Sequence, residues 1–245
     1  MQTIQQLAAH RRTVTLSLAA VTAMLVMAHV GWQLFTYWTG HDYVFGLIRL
    51  FHLDEERNIP ALFSALLLVS AAMLLAFIAM REKRSGSRDW SKWTVLAFGF
   101  LYMAIDEFGH IHEQLILPGR TFLGERSLGI FYYAWVVPAM GIVLALAIFF
   151  LGFLRRLPPW TRRAFVIAGA MFVGGAIGIE MLEGRHDELY GEHNPTYQTY
   201  VTIEEALEMM GVVVFIGALL RYIAEFHSGS DPAVAHRAIT AKQTI

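Results

Sequence analysis

The sequence predicts an all-α, polytopic integral membrane protein, a six-helix bundle with both termini in the cytoplasm. Three observations predict it. Of the 245 residues 56% are hydrophobic and only 16% charged, with a mean hydropathy of +0.48, whereas a soluble domain carries about 25% charged residues. Six segments reach or approach the roughly 20 apolar residues that a bilayer core about 30 Å thick requires. The basic residues then alternate between the two ends of those segments as a membrane topology demands.

The first span, about 14–37, follows Arg11 and Arg12 as a signal sequence would. Its apolar stretch is too long for a signal h-region and no convincing small-residue cleavage site follows, so it reads as an uncleaved anchor. The stretch 42–53, DYVFGLIRLFHL, is short and amphipathic and suits the outer interface. The second span, about 60–80, is uniformly apolar. The third, 93–113, the fifth, 164–183, and the sixth, 203–223, are apolar for most of their length and become acidic at one end. The fourth covers about 130–153. In the fifth, Ala170, Gly174 and Gly178 form a small-residue stripe that lets a neighbouring helix approach closely. Residues 1–226 thus form the transmembrane domain, and 227–245 a disordered cytoplasmic tail. Trp32, Tyr37, Trp38, Trp90 and Trp93 read as interfacial belt residues.

Fourteen of the 19 Lys and Arg fall on the side of Arg11, the 81–92 loop, the RRLPPWTRR turn and the C-terminus. That side is the cytoplasm. The acids are distributed the other way: 16 of 20 Asp and Glu lie on the outer side or in the outer half of a span, together with seven of ten histidines. The positive-inside rule does not govern acids, so this second asymmetry is the main functional clue. The net charge of −1 gives no sign of a nucleic-acid partner, and the absence of cysteine excludes disulfides, thiolate metal sites and iron–sulfur clusters. No P-loop, dinucleotide fingerprint or serine-nucleophile motif occurs.

The third span ends AIDEFGHIHE, and as one continuous helix it places Asp106, His110 and Glu113 within about 60° of one another, with Glu107 on the flank. His112 then points away from Asp106. The fifth span ends with Glu180 and Glu183, and the sixth begins with Glu204, Glu205 and Glu208. Alternating direction brings these ends to one membrane face. Ionisable groups at that depth cost on the order of 2.5–3.5 kcal/mol each, and something must offset it: protons, water or a cation. A divalent metal is the economical expectation. Glu107-x-x-His110 and Glu183-x-x-His186 match the spacing of carboxylate-bridged di-metal bundles, with Glu205-x-x-Glu208 adding carboxylates. The expected metal ligands are therefore Asp106, Glu107, His110, Glu180, His186, Glu205 and Glu208, with Glu113 or Glu183 as ligand or general base. Asp54, Glu55 and Glu56 stand near enough in sequence to supply a fourth helix's acids. Glu183, Asp187, Glu188, Glu192 and Glu204 read better as hydrated residues at helix ends, and His29 equally as an interhelical hydrogen-bonding group or a member of the site.

The stretches GHDYVFGLIRLFHLDEERNIP, FLYMAIDEFGHIHE and TIEEALEMMG resemble blocks in a broad group of uncharacterised bacterial multi-pass membrane proteins, over about residues 30–225. The resemblance implies a place in the bacterial cytoplasmic membrane and treats the acids and His110 as a unit. It carries no activity.

The expectation is a metal-dependent membrane enzyme with its site near the outer face, acting among membrane lipids on a lipid or other hydrophobic substrate. Iron or manganese would suit oxidative chemistry, zinc hydrolysis. The alternatives are a proton- or cation-linked transporter and a non-catalytic assembly protein whose acidic patch docks a partner.

Overall fold

The computed structural model describes residues 2–41, 47–55, 57–124 and 127–227. Glu56, the first half of the 42–53 stretch and the expected tail from 228 onward lie outside the described residues. Among those described, all regular structure is helical.

A short helix α1 (Gln2–Ala9) leads into α2 (Arg11–Thr39), and α3 (Leu47–Phe51) precedes α4 (Ile59–Arg84). Helix α4 starts at Asn58, whose side chain accepts from Ala61 N–H, with proline just inside the first turn. That pairing satisfies an orphan donor and presets the backbone. Next come α5 (Trp90–Gly109), α6 (Ile116–Leu123), α7 (Val136–Arg156) and α8 (Pro159–Val173). A π-helical turn, Gly174–Ile179, joins α8 to α9 (Glu180–Tyr190). The last helix, α10 (Pro195–Phe226), repeats the Asn–Pro start, with Asn194 capping Tyr197 N–H.

Five stretches are long and apolar enough to cross a membrane: Arg11–Thr39, Ile59–Arg84, Val136–Arg156, Pro159–Tyr190 and Pro195–Phe226. Trp90–Gly109 joins them as a sixth if it and Glu113–Leu123, bent by 74°, count as one span. Pro159–Tyr190 and Pro195–Phe226 are longer than the sequence periodicity suggests, 32 residues each.

The third differs most. One continuous helix to Glu113 was expected, but α5 stops at Gly109 and His110 adopts a left-handed φ of 46°. The cause is Asp106. Its carboxylate accepts both His112 N–H (2.9 Å) and His112 Nδ1 (2.7 Å), and a short acid that captures downstream donors competes with the helix. His112, expected on the far side, is therefore Asp106's own partner.

Helix α10 runs through the centre and packs on α2, α4, α8, the π turn and α9. Its lower half is sealed: Met209, Val213, Leu219, Leu220 and Ile223 are all at most 1% exposed. Trp93, expected at an interface, is buried there instead, with ring centroids 5.0 Å from Phe153 and 5.1 Å from Tyr222. An aromatic near a helix end looks interfacial by position, but Phe153 of α7 and Tyr222 of α10 reach its ring and draw its area into the core.

The small-residue stripe also resolves differently. Helix α10 meets the opposite face of the fifth stretch: a Cβ added at Gly175 would lie 2.8 Å from the Glu204 carbonyl oxygen, and one at Gly211 would lie 3.0 Å from that of Ala168. A Cβ added at Gly174 or Gly178 meets nothing within 4 Å.

Candidate functional site

The acidic end of the bundle gathers the start of α4, the bent end of α5, the start of α7, the π turn with α9 and the start of α10. Glycine in the π turn is what allows this. Gly175 brings the α10 backbone against the fifth stretch at the level of Glu204 and Glu208. The wider π turn then re-aims the side chains that follow it.

Two chains of contact converge here. In the first, Asp106 binds His112, whose ring lies 4.5 Å from that of Trp135. The Trp135 indole N–H in turn donates to Glu180 Oε1 at 2.5 Å. In the second, His110 Nδ1 sits 2.6 Å from Glu113 Oε1. Glu180 and Glu183 are buried, at 8% and 5% exposure. Glu183 Oε2 is buried with no hydrogen-bond partner, although Glu204 and Tyr197 stand beside it. Glu107 lies next to Ser64 of α4.

The glutamates of α10 complete the group. Glu205 feels the charges of Glu107, Asp54, Glu183 and Glu180, and Glu208 those of Glu205, Glu107, Glu180 and Asp106. Both are half-buried on the face of α10 turned toward the other acidic helix ends. Among the described residues, Lys and Arg pair with Glu55, Asp89 and Glu225, none of them in this group. The repulsion among these carboxylates is left to protons, water or a bound cation.

Asp54 stands beside the same group. Desolvation, then the charges of Glu183, Glu113 and Glu192, push its carboxyl up to about 8, against a stabilising hydrogen bond from Tyr197. Tyr133 stands nearby, its hydroxyl donating to Asp187 Oδ2 at 3.1 Å and lying 3.3 Å from the Tyr197 hydroxyl. Burial raises the Tyr133 phenol further above its ordinary value.

The structure thus brings together Asp106, Glu107, Glu113, Glu180, Glu183, Glu205 and Glu208, with His110 at the edge. It does not bring His186. Helix α9 continues past Gly184, but His186 Nε2 turns to Asn194 Oδ1 at 2.8 Å, between Tyr190 and Tyr200. The two Glu-x-x-His pairs therefore do not act as units: the helix ends between Glu107 and His110, and Glu183 and His186 face different partners. Among the described residues, no three His, Asp or Glu side chains stand ready to hold a metal ion. Glu188, read as hydrated, instead accepts from Leu128 N–H (2.6 Å) and Gly129 N–H (2.8 Å) and fastens the loop before α7.

Sequence reasoning missed Trp135, Tyr133, Tyr197 and Ser64, and set Glu204 aside. Trp135 and Tyr133 carry a faint signal: they open an apolar span at its acid-rich end. Ser64 carries none, since a lone serine inside an apolar helix has no periodic signature.

His29, on α2, forms a separate polar contact. Its Nδ1 accepts Leu53 N–H at 3.1 Å, and its ring lies 4.8 Å from that of His52. An imidazole whose Nδ1 accepts a backbone N–H carries its own proton on Nε2, so that nitrogen has no lone pair for a metal. Burial lowers the His52 pKa, and Gln33 ties that ring to Gln198 of α10.

A family model described as a domain of unknown function (DUF8692) matches residues 17–223. No curated protein and no solved structure matches the chain.

Proposed function

The chain belongs to the DUF8692 family, and from its site we propose a metal-dependent membrane enzyme that acts on a lipid or other hydrophobic substrate at the acidic end of the bundle. The observation that carries the reading is the convergence of Glu107, Glu180, Glu183, Glu205 and Glu208, which among the described residues have no lysine or arginine paired to them. A divalent cation neutralises two carboxylates at once and takes oxygen ligands. The partnerless Glu183 Oε2 supplies an acceptor already desolvated. Ligation requires the glutamates to rotate from their present rotamers onto a common point, because no three of the described groups now meet at one.

In this reading the basic residues face the cytoplasm and the acidic end faces outward in a bacterial cytoplasmic membrane. Iron or manganese suits oxidative chemistry, zinc a hydrolysis through bound water. His110 and Glu113, hydrogen-bonded at the rim, suit proton transfer between the site and the surface. Transport through the protein is less well supported, because the fully buried apolar residues of α10 close the route to the other end. A partner-docking patch is less well supported too, because the acids converge inward.

The test is the metal content of the detergent-purified full chain, measured by mass spectrometry beside Glu205→Gln and Glu208→Gln. About one or two equivalents of iron, manganese or zinc, lost in both variants, is the expected result. A folded wild-type protein that takes up none of these metals, even after incubation with each, overturns the metal reading.

A further inference from the structure

His29 and His52, which the proposed site does not use, meet where α2, the end of α3 and the start of α10 come together. His29 is 1% exposed and His52 half-buried, with ring centroids 4.8 Å apart and planes at 83°. Donors point at both rings. Leu53 N–H donates to His29 Nδ1 at 3.1 Å. The Gln33 side-chain amide donates to Gln198 Oε1 of α10 at 2.9 Å and to His52 Nε2 at 3.0 Å. Asn58 Nδ2 donates to the His52 carbonyl, which pins the same segment to the start of α4.

These donors fix the charge state. A ring that accepts at one nitrogen carries its proton on the other, so both imidazoles are neutral. The remaining ring nitrogens, His29 Nε2 and His52 Nδ1, are buried and find no acceptor. A charged imidazole donates at both nitrogens and needs an acceptor at each. His52 has a donor facing one nitrogen and no partner at the other. Proton uptake there breaks the Gln33 bond and gains none in return.

The charges around His52 do not compensate. Helix α2 presents His29, a like charge if protonated, and α10 presents the uncharged Gln198. The acid that favours a charged ring is Glu55, and Arg49 already holds it at 3.1 Å. Asp54, two residues along, lies with Glu183 and Tyr197 instead. Burial therefore lowers the His52 pKa, and Glu55 opposes it only in part. A lowered folded pKa means that the ring's contribution is complete above the ordinary histidine value of about 6.5 and is lost as pH falls below it.

We propose that His29 and His52 form an acid-released latch: neutral, they hold the segment 47–55 to α2 and α10, and a proton taken up by His52 frees that segment together with Asp54. The latch goes beyond the enzyme reading and does not rest on it, because none of its groups is a proposed metal ligand. In the orientation proposed above, it responds to the pH on the outer side of the membrane.

The experiment is hydrogen–deuterium exchange of the detergent-purified full chain, read by mass spectrometry and corrected for the intrinsic rate at each pH. It runs from about pH 7.5 to about pH 5, the range in which histidines charge. In wild type, amides in 47–55 should exchange about tenfold faster at the acid end, while the buried interior of α4 stays protected throughout. His52→Gln offers Gln33 an oxygen but has no titratable nitrogen, so its protection should not change with pH. Glu55→Gln removes the carboxylate that favours the charged ring, so release should persist and move to lower pH. Flat protection of 47–55 in wild type overturns the latch. So does acid release that survives in His52→Gln or vanishes in Glu55→Gln, because another group then takes up the proton. Loss of α4 protection in step with that of 47–55 overturns it too, as global unfolding.

Discussion

The Trp135 indole and the Glu180 carboxylate, 45 positions apart in sequence, meet in a 2.5 Å hydrogen bond that joins the start of α7 to the start of α9. The same indole packs at a tilt against His112, the partner of Asp106, so one ring links three helical segments. Trp135→Phe keeps the ring and removes the donor from a buried carboxyl. Its expected cost is about 1–3 kcal/mol, read as a lowered thermal midpoint in detergent. A shift within error would mean that Glu180 draws its stabilisation from elsewhere.

Adjacent glycines of the π turn should respond oppositely. Gly175→Ala drives a Cβ to 2.8 Å from the Glu204 carbonyl oxygen, and backbone cannot yield as a side-chain tip can, so a loss of about 1–3 kcal/mol is expected. Gly174→Ala enters open space and restricts the unfolded chain, for a gain of up to about 1 kcal/mol. The pair is compared by thermal unfolding; equal effects would contradict the packing described.

At His110 the left-handed φ of 46° separates backbone from side chain. His110→Ala and His110→Gly both lose the contact with Glu113, but only alanine retains the cost of a Cβ in that region, about 1–2 kcal/mol. The glycine variant should therefore be the more stable of the two. If alanine matches glycine, the break in α5 is not held at that angle.

Asp54 gives the metal-free protein a pH signature. Its folded pKa of about 8 exceeds that of an unfolded aspartate, so between about pH 4 and 8 the folded state holds more protons and loses stability as pH rises. Below that window the residue contributes nothing, and above it the penalty is complete. Asp54→Asn should flatten the decline across the window. Bound divalent cation should flatten it as well, because a positive charge offsets the repulsion from Glu183 and Glu113. Parallel pH–stability curves for wild type and Asp54→Asn would refute the placement of this residue.

What the sequence by itself determined is what depends on composition and local order: apolar helices long enough for a bilayer, and the gathering of acids at one end. Reversal of direction at each turn forces that gathering whatever the packing. Asp106, Glu107, Glu180, Glu205 and Glu208 were legible because charges inside apolar helices are conspicuous. Only the tertiary structure decided which groups touch. Asp106 captures the backbone of His112 and breaks the helix, so the i,i+3 spacing of Glu107 and His110 loses its meaning. His186 turns to a cap, Trp93 to the core, and Trp135 to Glu180. The stripe of Gly174 and Gly178, predicted to seat a helix, meets no neighbour because α10 approaches the adjacent Gly175 instead. Helical periodicity gives the faces of a helix, but which face is occupied depends on where the neighbouring helices lie, and that is a property of the whole chain.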